Sequence, residues 1–302
     1  MDPQRVDLTS VAISALPVFR GKERLASAIG KIRCGIGKVE ERCLSGTTVI
    51  RVDLRDRIQR FMWCGCYEPH VRRCMAALLR PGDTLIEIGA HIGYLTALAA
   101  HCVGAGGRVI AFEADPGNFL RLSEHLNGLS WVNLEPKAVW RTSSAMTFER
   151  SAKPGESGWG TLTSVRDLHA GEHLTVAAVS LDDWYAANVV QAVHGLKIDA
   201  EGSEVSILRG CKDFLGRFAP WIILERNQTL LHQAGASGEE LAEILRAYGY
   251  RACVLDGTKT TRIQEKGDSV SGELLAVPIG GIALIAEALT RGGFEADRGD
   301  FN

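Results

Sequence analysis

The segment Thr84-Leu85-Ile86-Glu87-Ile88-Gly89-Ala90-His91-Ile92-Gly93-Tyr94 restricts the fold of this chain more than any other. Five residues of strand character stop at a glycine. A second glycine four residues later opens a stretch in which Leu95, Leu98, Ala99 and Cys102 recur at helical spacing. A buried strand that turns directly into a helix is half of a βαβ unit, and the pattern repeats. Arg108 to Phe112 reads as the next strand, Asn118 to Asn127 as the next helix and Trp131 to Leu134 as a third strand. After a less regular stretch, Met146 to His173, come a strand Leu196 to Asp199, a helix from Glu204 to Leu215 and a strand Trp221 to Leu224. This alternation predicts a mostly parallel sheet with helices on both faces and a ligand beyond the C-terminal ends of its strands. A helix over Glu239 to Tyr248 and strands over Arg251 to Leu255 and Leu274 to Val277 complete the sheet.

Residues 1–60 read as an N-terminal helical extension followed by a strand arm. Ala12, Ala15, Leu16 and Phe19, then Leu25, Ala28, Ile29 and Ile32, lie at helical spacing, with Pro17 interrupting, and Thr48 to Leu54 alternates as a strand. Residues 61–302 form the main domain, entered by a helix from Tyr67 with Val71, Met75, Leu78 and Leu79 on one face. Among 302 residues, 34 Lys+Arg stand against 36 Asp+Glu, so no broad basic face is expected to capture nucleic acid or an anionic membrane. The apolar run Gly281 to Leu289 contains Glu287 and falls well short of the roughly 18 residues a membrane span needs. Neither a cationic lead nor a cleavage site marks the N-terminus, so it reads as part of the mature protein. Eight cysteines without a Cys-x-x-Cys pair read as free thiols in a reducing cytoplasm, and Cys64-Gly65-Cys66 lacks the neighbours of a zinc site.

Two features of the first βα unit point to an adenosine-containing cofactor. Glu87 precedes the glycine turn, whose N–H groups are expected to form an anion site. Glu113 ends the second strand, where a carboxylate can accept both hydroxyls of a ribose. Gly89 is expected to let a ligand approach the backbone, and Gly93 to let the helix pack closely on the strand. A dinucleotide fingerprint needs Gly-x-Gly-x-x-Gly, whereas Gly89 and Gly93 enclose Ala90, His91 and Ile92. The spacing favours S-adenosylmethionine over NAD.

Several segments together resemble the FkbM family of S-adenosylmethionine-dependent methyltransferases. They are Gly65-Cys66-Tyr67-Glu68-Pro69, Pro81 to Tyr94, Phe112-Glu113, Ser180-Leu181-Asp182-Asp183, and Leu196-Lys197-Ile198-Asp199-Ala200-Glu201-Gly202-Ser203-Glu204 with Leu208-Arg209-Gly210. The resemblance covers residues 48–255, and the Lys197 to Glu204 run is its most specific part. It implies an α/β, Rossmann-like class I methyltransferase fold with a seven-stranded sheet whose last strand is antiparallel, and O-methylation of a small molecule or sugar. It places Glu68, Glu87, Gly89, Ala90, His91, Gly93, Tyr94, Glu113, Ala114, Asn118, Ala138 and Asp199 around the cofactor. The chain departs from the family pattern with Glu87 for Asp, His91 for Asn, and Ala114-Asp115 before Pro116.

Methyl transfer from a sulfonium asks mainly for alignment in a dry pocket, and an alcohol acceptor also needs a base. Asp199, at a strand end, is a candidate base or partner for the cofactor's ammonium group. Glu201, His91 and Lys197 complete the catalytic candidates. Each has a structural reading beside it: Glu201 and Glu204 as acids favoured near a helix start, His91 as a turn residue, Lys197 as half of an ion pair. A divalent metal on Asp199 and Glu201 is a runner-up that lacks a third ligand, so no metal is assigned. Tyr67 to His70 reads either as a lid or as a helix N-terminus, and Asp182-Asp183-Trp184 as a helix cap. Trp63 and Trp140 fit core or pocket, while Trp159 favours the pocket. The N-terminal helices and the loops 155–160 and 257–272 are expected to shape a pocket for a small-molecule acceptor. A homodimer is compatible with the sequence. The alternatives are a nicotinamide oxidoreductase and a non-catalytic S-adenosylmethionine-binding module.

Overall fold

The computed structural model describes residues 8–15, 22–36, 39–151, 155–165, 171–257, 259–262, 272–296 and 298–301. Pro17, named as a helix breaker, and most of the 257–272 loop lie outside them. The chain begins with helices α1 (Leu8–Ala15) and α2 (Lys22–Gly35), the hairpin β1 (Glu40–Ser45) and β2 (Thr48–Asp53), and helices α3 (Arg57–Trp63) and α4 (Pro69–Leu78). The units β3 (Thr84–Ile88), α5 (Tyr94–Val103), β4 (Arg108–Phe112), α6 (Pro116–Leu126) and β5 (Val132–Glu135) follow. Next come β6 (Ala138–Val139), β7 (Ser144–Arg150), β8 (Thr161–Leu162), β9 (Glu172–Val179) and α7 (Leu181–Ala187). The second half holds β10 (Gly195–Ile198), α8 (Glu204–Arg209), α9 (Lys212–Phe218), β11 (Trp221–Arg226), α10 (Gln228–Gln233) and α11 (Gly238–Ala247). It closes with β12 (Tyr250–Asp256), β13 (Lys259–Arg262), β14 (Gly272–Pro278) and α12 (Ile282–Arg291).

The main sheet runs β13-β12-β14-β11-β10-β3-β4-β5. Strands β5, β4, β3, β10 and β11 are parallel neighbours, and β14 inserts antiparallel between β11 and β12. The seven expected strands are present with the last one antiparallel, and β13 adds an eighth by pairing with β12 at the edge. Successive residues of a strand face opposite sides of a sheet, so each central strand feeds two cores. Leu85, Val109 and Ile223 enter one, and Ile86, Ile110 and Ile222 enter the other.

Three details depart from the sequence reading. The stretch 146–173 contributes to a second sheet, β6-β9-β7-β8, in which β7 and β9 pair antiparallel from Ser144 opposite Ala178 to Arg150 opposite Glu172. Its periodicity is weak because β7 is mostly uncovered and buries Phe148 and Glu149 side by side near one end. The expected helix 204–215 breaks into α8 and α9 at Gly210, where a Cβ would lie 2.6 Å from the Trp140 carbonyl oxygen. Helix α5 is buried almost all round instead of on one face, because β1 and β2 cover its outer side. Leu98 and Cys102 are therefore not its most buried positions, whereas Ala97 and Ala100 are fully covered.

Residue 60 falls inside α3, whose packing joins α2 to the hairpin. The α2 surface in contact is Ala26 and Gly30, the latter against Arg60, while Leu25 and Ile32 face outward. In α1 the buried positions are Ser10 and Ile13 instead of Ala12 and Ala15.

Candidate active site

The glycine turn between β3 and α5 is held by contacts within the chain. Gly89 has φ +83°, and a Cβ there would lie 1.8 Å from the Asp199 carbonyl oxygen. The close approach that requires glycine is thus to the end of β10, a correction to the expectation that a ligand demands it. Gly93, at φ +88°, faces Leu122 and Leu126 of α6, so the packing it permits is helix against helix instead of helix on strand. The N–H groups of Gly89 and Ala90 donate to the Phe112 carbonyl, and that of Gly93 to Ala90. The His91 N–H donates to Glu113 Oε2 at 2.7 Å. These four donors are therefore not displayed as an anion cradle, because Phe112, Glu113 and the turn's own Ala90 already take them.

Glu113 accepts from His91 on one oxygen and from the Asp115 N–H, at 2.8 Å, on the other. Burial lifts its carboxyl to about 8, against the lowering effect of these two donors. Each carboxylate oxygen has a second lone pair, so Glu113 can brace the turn and still accept hydroxyls. His91 sits at φ 51°, a left-handed conformation that His and Asn adopt more readily than most residues, which accounts for the exchange of one for the other. Burial pushes its imidazole down to about 4, so it is neutral at pH 7. Its Nε2 lies 2.8 Å from Ser157 Oγ, which donates to Asp56 Oδ2 at 2.7 Å. Asp56 also caps α3, and Asn118 Nδ2 donates to the Ser157 carbonyl at 3.0 Å. The 155–160 loop is thereby pinned over the cofactor turn.

A cavity of about 290 Å³ opens beyond the strand ends. Glu68, Gly89, His91, Glu113, Ala114, Asn118, Ala138, Asp199 and Glu201 of the expected residues line it. Among the described residues, those at positive φ other than glycine are Glu68, His91, Glu201 and Ala219, and the first three face this cavity. Backbone strain of this kind gathers at functional sites. Pro69 begins α4, so the segment is a helix N-terminus, and Tyr67 and Glu68 ahead of it line the cavity. Trp159 also lines it, whereas Trp63 and Trp140 are core residues.

Five expected site residues stand back from the cavity. Glu87 is buried, accepts the Thr96 hydroxyl at 2.7 Å and is lifted by burial to about 7. Ala90 and Gly93 serve the turn. Tyr94 stacks edge-on against Tyr67, a cavity residue, with centroids 5.9 Å apart. Lys197 is only 2% exposed and lies beneath the floor, its Nζ 3.0 Å from Asp199 Oδ2. Burial works against its charge, but Asp199, Glu68, Glu87 and Glu273 outweigh this and raise its pKa. It is the structural partner of Asp199. Glu204 accepts the Ala200 and Gly202 N–H groups and holds the turn, and Asp182 accepts the Phe214 N–H away from the cavity. Of the N-terminal helices, α3 supplies Ile58 to the wall, and no described residue of α1 or α2 does.

The sequence reading did not name Ser157, Glu225 or Glu273 as site residues. Glu225 follows the apolar run Trp221 to Leu224 much as Asp199 follows Leu196 to Ile198, a signal that was present. Glu273 and Ser157 carried no such signal. Among the described residues no three His, Cys, Asp or Glu are grouped to hold a metal ion, and no helix is long and apolar enough to cross a membrane.

Residues 87–252 match the family model described as the methyltransferase FkbM domain. The chain is 27% identical over 198 residues to the 31-O-demethyl-FK506 methyltransferase FkbM of Streptomyces tacrolimicus, covering 57% of this chain and 74% of that one. Among solved structures, a methyltransferase FkbM from Methylobacillus flagellatus aligns with 16% identity and a TM-score of 0.41, over 73% of this chain but 54% of its own length. An S-adenosylmethionine-dependent O-methyltransferase from Thermotoga maritima aligns with 12% identity and a TM-score of 0.41, covering 70% and 65%. The family match sets aside the nicotinamide oxidoreductase. With the strand order, the glycine turn and the family model in agreement over most of the sheet, the chain belongs to the FkbM family of methyltransferases, whose methyl donor is S-adenosylmethionine.

Proposed function

We propose that the protein is an O-methyltransferase acting on a hydroxyl or carboxylate of a small metabolite, natural product or sugar. The observation that carries this reading is the placement of Glu113 and Asp199, from β4 and the end of β10, on one cavity with the glycine turn between them. The residues fit the donor: Glu113 and Asn118 can take the ribose hydroxyls, Ala114 and Ala138 leave room for an adenine, and the Glu68 carboxylate suits its ammonium group. Glu68 Oε2 is buried without a hydrogen-bond partner, as expected of an acid that waits for one. When bound, S-adenosylmethionine supplies an electrophilic methyl group and a neutral thioether leaving group. Asp199, tethered by Lys197, would hold the acceptor hydroxyl and take its proton as the new C–O bond forms. The neutral His91 would fix the 155–160 loop and so help exclude water. The eight cysteines are all unpaired, which supports a reducing, cytoplasmic setting.

Calorimetric titration with S-adenosylmethionine, S-adenosylhomocysteine and NADH tests the donor assignment. Binding of the sulfur nucleosides alone, followed by transfer to a hydroxyl compound, is the expected result. Binding without transfer to any acceptor would favour a non-catalytic module, and exclusive binding of NADH would overturn the reading.

A further inference from the structure

One end of the cavity gathers more carboxyl groups than the described cations lining it can neutralise. Asp199 follows β10, Glu225 lies on β11 and Glu273 near the start of β14, so three adjacent strands each bring a carboxylate to it, and Glu68 adds a fourth from the start of α4. Glu225 and Glu273 are direct partners in the antiparallel β11–β14 register. Like charges in that position destabilise a sheet unless something positive lies between them. Lys197 supplies one ammonium from below and is hydrogen-bonded to Asp199 at 3.0 Å. Lys137, which also lines the cavity, pairs with Glu135 at 2.7 Å. Glu68 Oε2, buried and without a hydrogen-bond partner, shows that this end is short of a cation, and once the donor's ammonium meets Glu68 the facing Glu225 and Glu273 still remain. Fully ionised, the four carboxylates exceed Lys197 by three charges, and the donor's net single positive charge offsets one of these.

We propose that the acceptor is itself a cation: a small hydroxyl-bearing molecule with a protonated amine, whose ammonium sits between Glu225 and Glu273 while its hydroxyl faces Asp199. An ammonium suits this end better than a metal ion. Its three N–H donors can reach carboxylates dispersed over separate elements, whereas the described residues do not converge as a metal's ligand shell requires. Lys197 already shows an ammonium held charged by Asp199, Glu68 and Glu273 of this group. Burial, reinforced by mutual repulsion, holds Glu68, Glu225 and Glu273 above the usual carboxylate range when no ligand is bound. The inference rests on the methyltransferase reading for the position of the donor.

The test uses the full chain saturated with S-adenosylhomocysteine, titrated with matched compounds: glucosamine and ethanolamine, then glucose and ethylene glycol, then glucuronate and glycolate, and separately magnesium chloride. Transfer of a labelled methyl from S-adenosylmethionine is followed on the same six compounds. Tighter binding and faster transfer for the amine pair are expected. Glu225→Gln and Glu273→Gln should each reduce the amine response at least tenfold while changing the S-adenosylhomocysteine Kd less than threefold. The same substitutions should raise the Tm of the empty protein at pH 8.5 by relieving the facing charges, which shows that they fold. A preference for the neutral or anionic compounds, stoichiometric magnesium binding, or no response to either amine overturns the cationic acceptor. Failure to bind S-adenosylhomocysteine at all would instead strike at the methyltransferase reading.

Discussion

The two ends of the cavity solve opposite problems. At the glycine turn the polar groups named above are already partnered: Glu113 holds two backbone N–H groups, His91 holds Ser157, and Asp56 holds Ser157 in turn. At the other end Glu68, Asp199 and Glu273 act on one ammonium, Glu225 faces Glu273, and Glu68 keeps an oxygen without a partner. The first end is preorganised, so the donor should find it in place. The second carries electrostatic strain that a ligand can relieve.

The most severe way to break the first end is Gly89→Ala. A methyl 1.8 Å from the Asp199 carbonyl at φ +83° should cost roughly 4 kcal/mol or more and abolish cofactor binding, as chemical denaturation and calorimetry would show. Near-normal stability would mean that the turn is not rigid. Asp199→Asn addresses the other end, with an expected loss of about 100-fold to 10,000-fold in kcat and a much smaller change in cofactor affinity. Equal losses in both would make Asp199 a cofactor ligand instead of a base. Glu113→Gln replaces one acceptor oxygen by a donor that must face a backbone N–H, and should weaken cofactor binding by about 2 kcal/mol. Unchanged affinity would remove Glu113 from the site.

The pH dependence of the empty protein gives a smaller, distributed effect. Burial lifts Glu87 and Glu204 to about 7 and Glu113 and Glu225 to about 8, so between pH 6.5 and 8 the folded state retains protons that the unfolded chain has released. Stability should therefore fall as pH rises through this window, by about 1 kcal/mol per pH unit for each group still protonated. His91, held down at about 4, has the opposite sign, but its contribution changes only below pH 6.5. A Tm that rises from pH 6.5 to 8 would contradict the crowding of acids. The mildest change is Ser157→Ala, expected to cost about 1 kcal/mol and to loosen the 155–160 loop, read as faster proteolysis there with the cofactor Kd little altered. Unaltered proteolysis would show that the loop is held by its backbone alone.

Much of the preorganised end was legible from residues 84–113. Strand β3 and strand β4 fall where the apolar runs place them, because a short buried run stopped by a glycine is a local signal. The same segment misled about what its glycines serve, since Gly89 is required by β10, a strand more than a hundred residues further along the chain. Lys197 and Asp199 were correctly placed on one face of a strand end, yet only burial shows that Lys197 lies under the floor. The second sheet was not read because β7 is mostly uncovered and is held by pairing with β9, in which covered and uncovered residues alternate only from Leu174 to Ala178.

The sequence by itself determined the succession of strands and helices, the left-handed glycine turn and the acids at the ends of β4 and β10, all consequences of neighbours along the chain. The tertiary structure alone decided that β14 inserts beside β11 and sets Glu273 opposite Glu225, and that Asp56 and Ser157 close over His91. Strand order and loop docking are settled by which distant surfaces exclude water together, and no local periodicity records that choice.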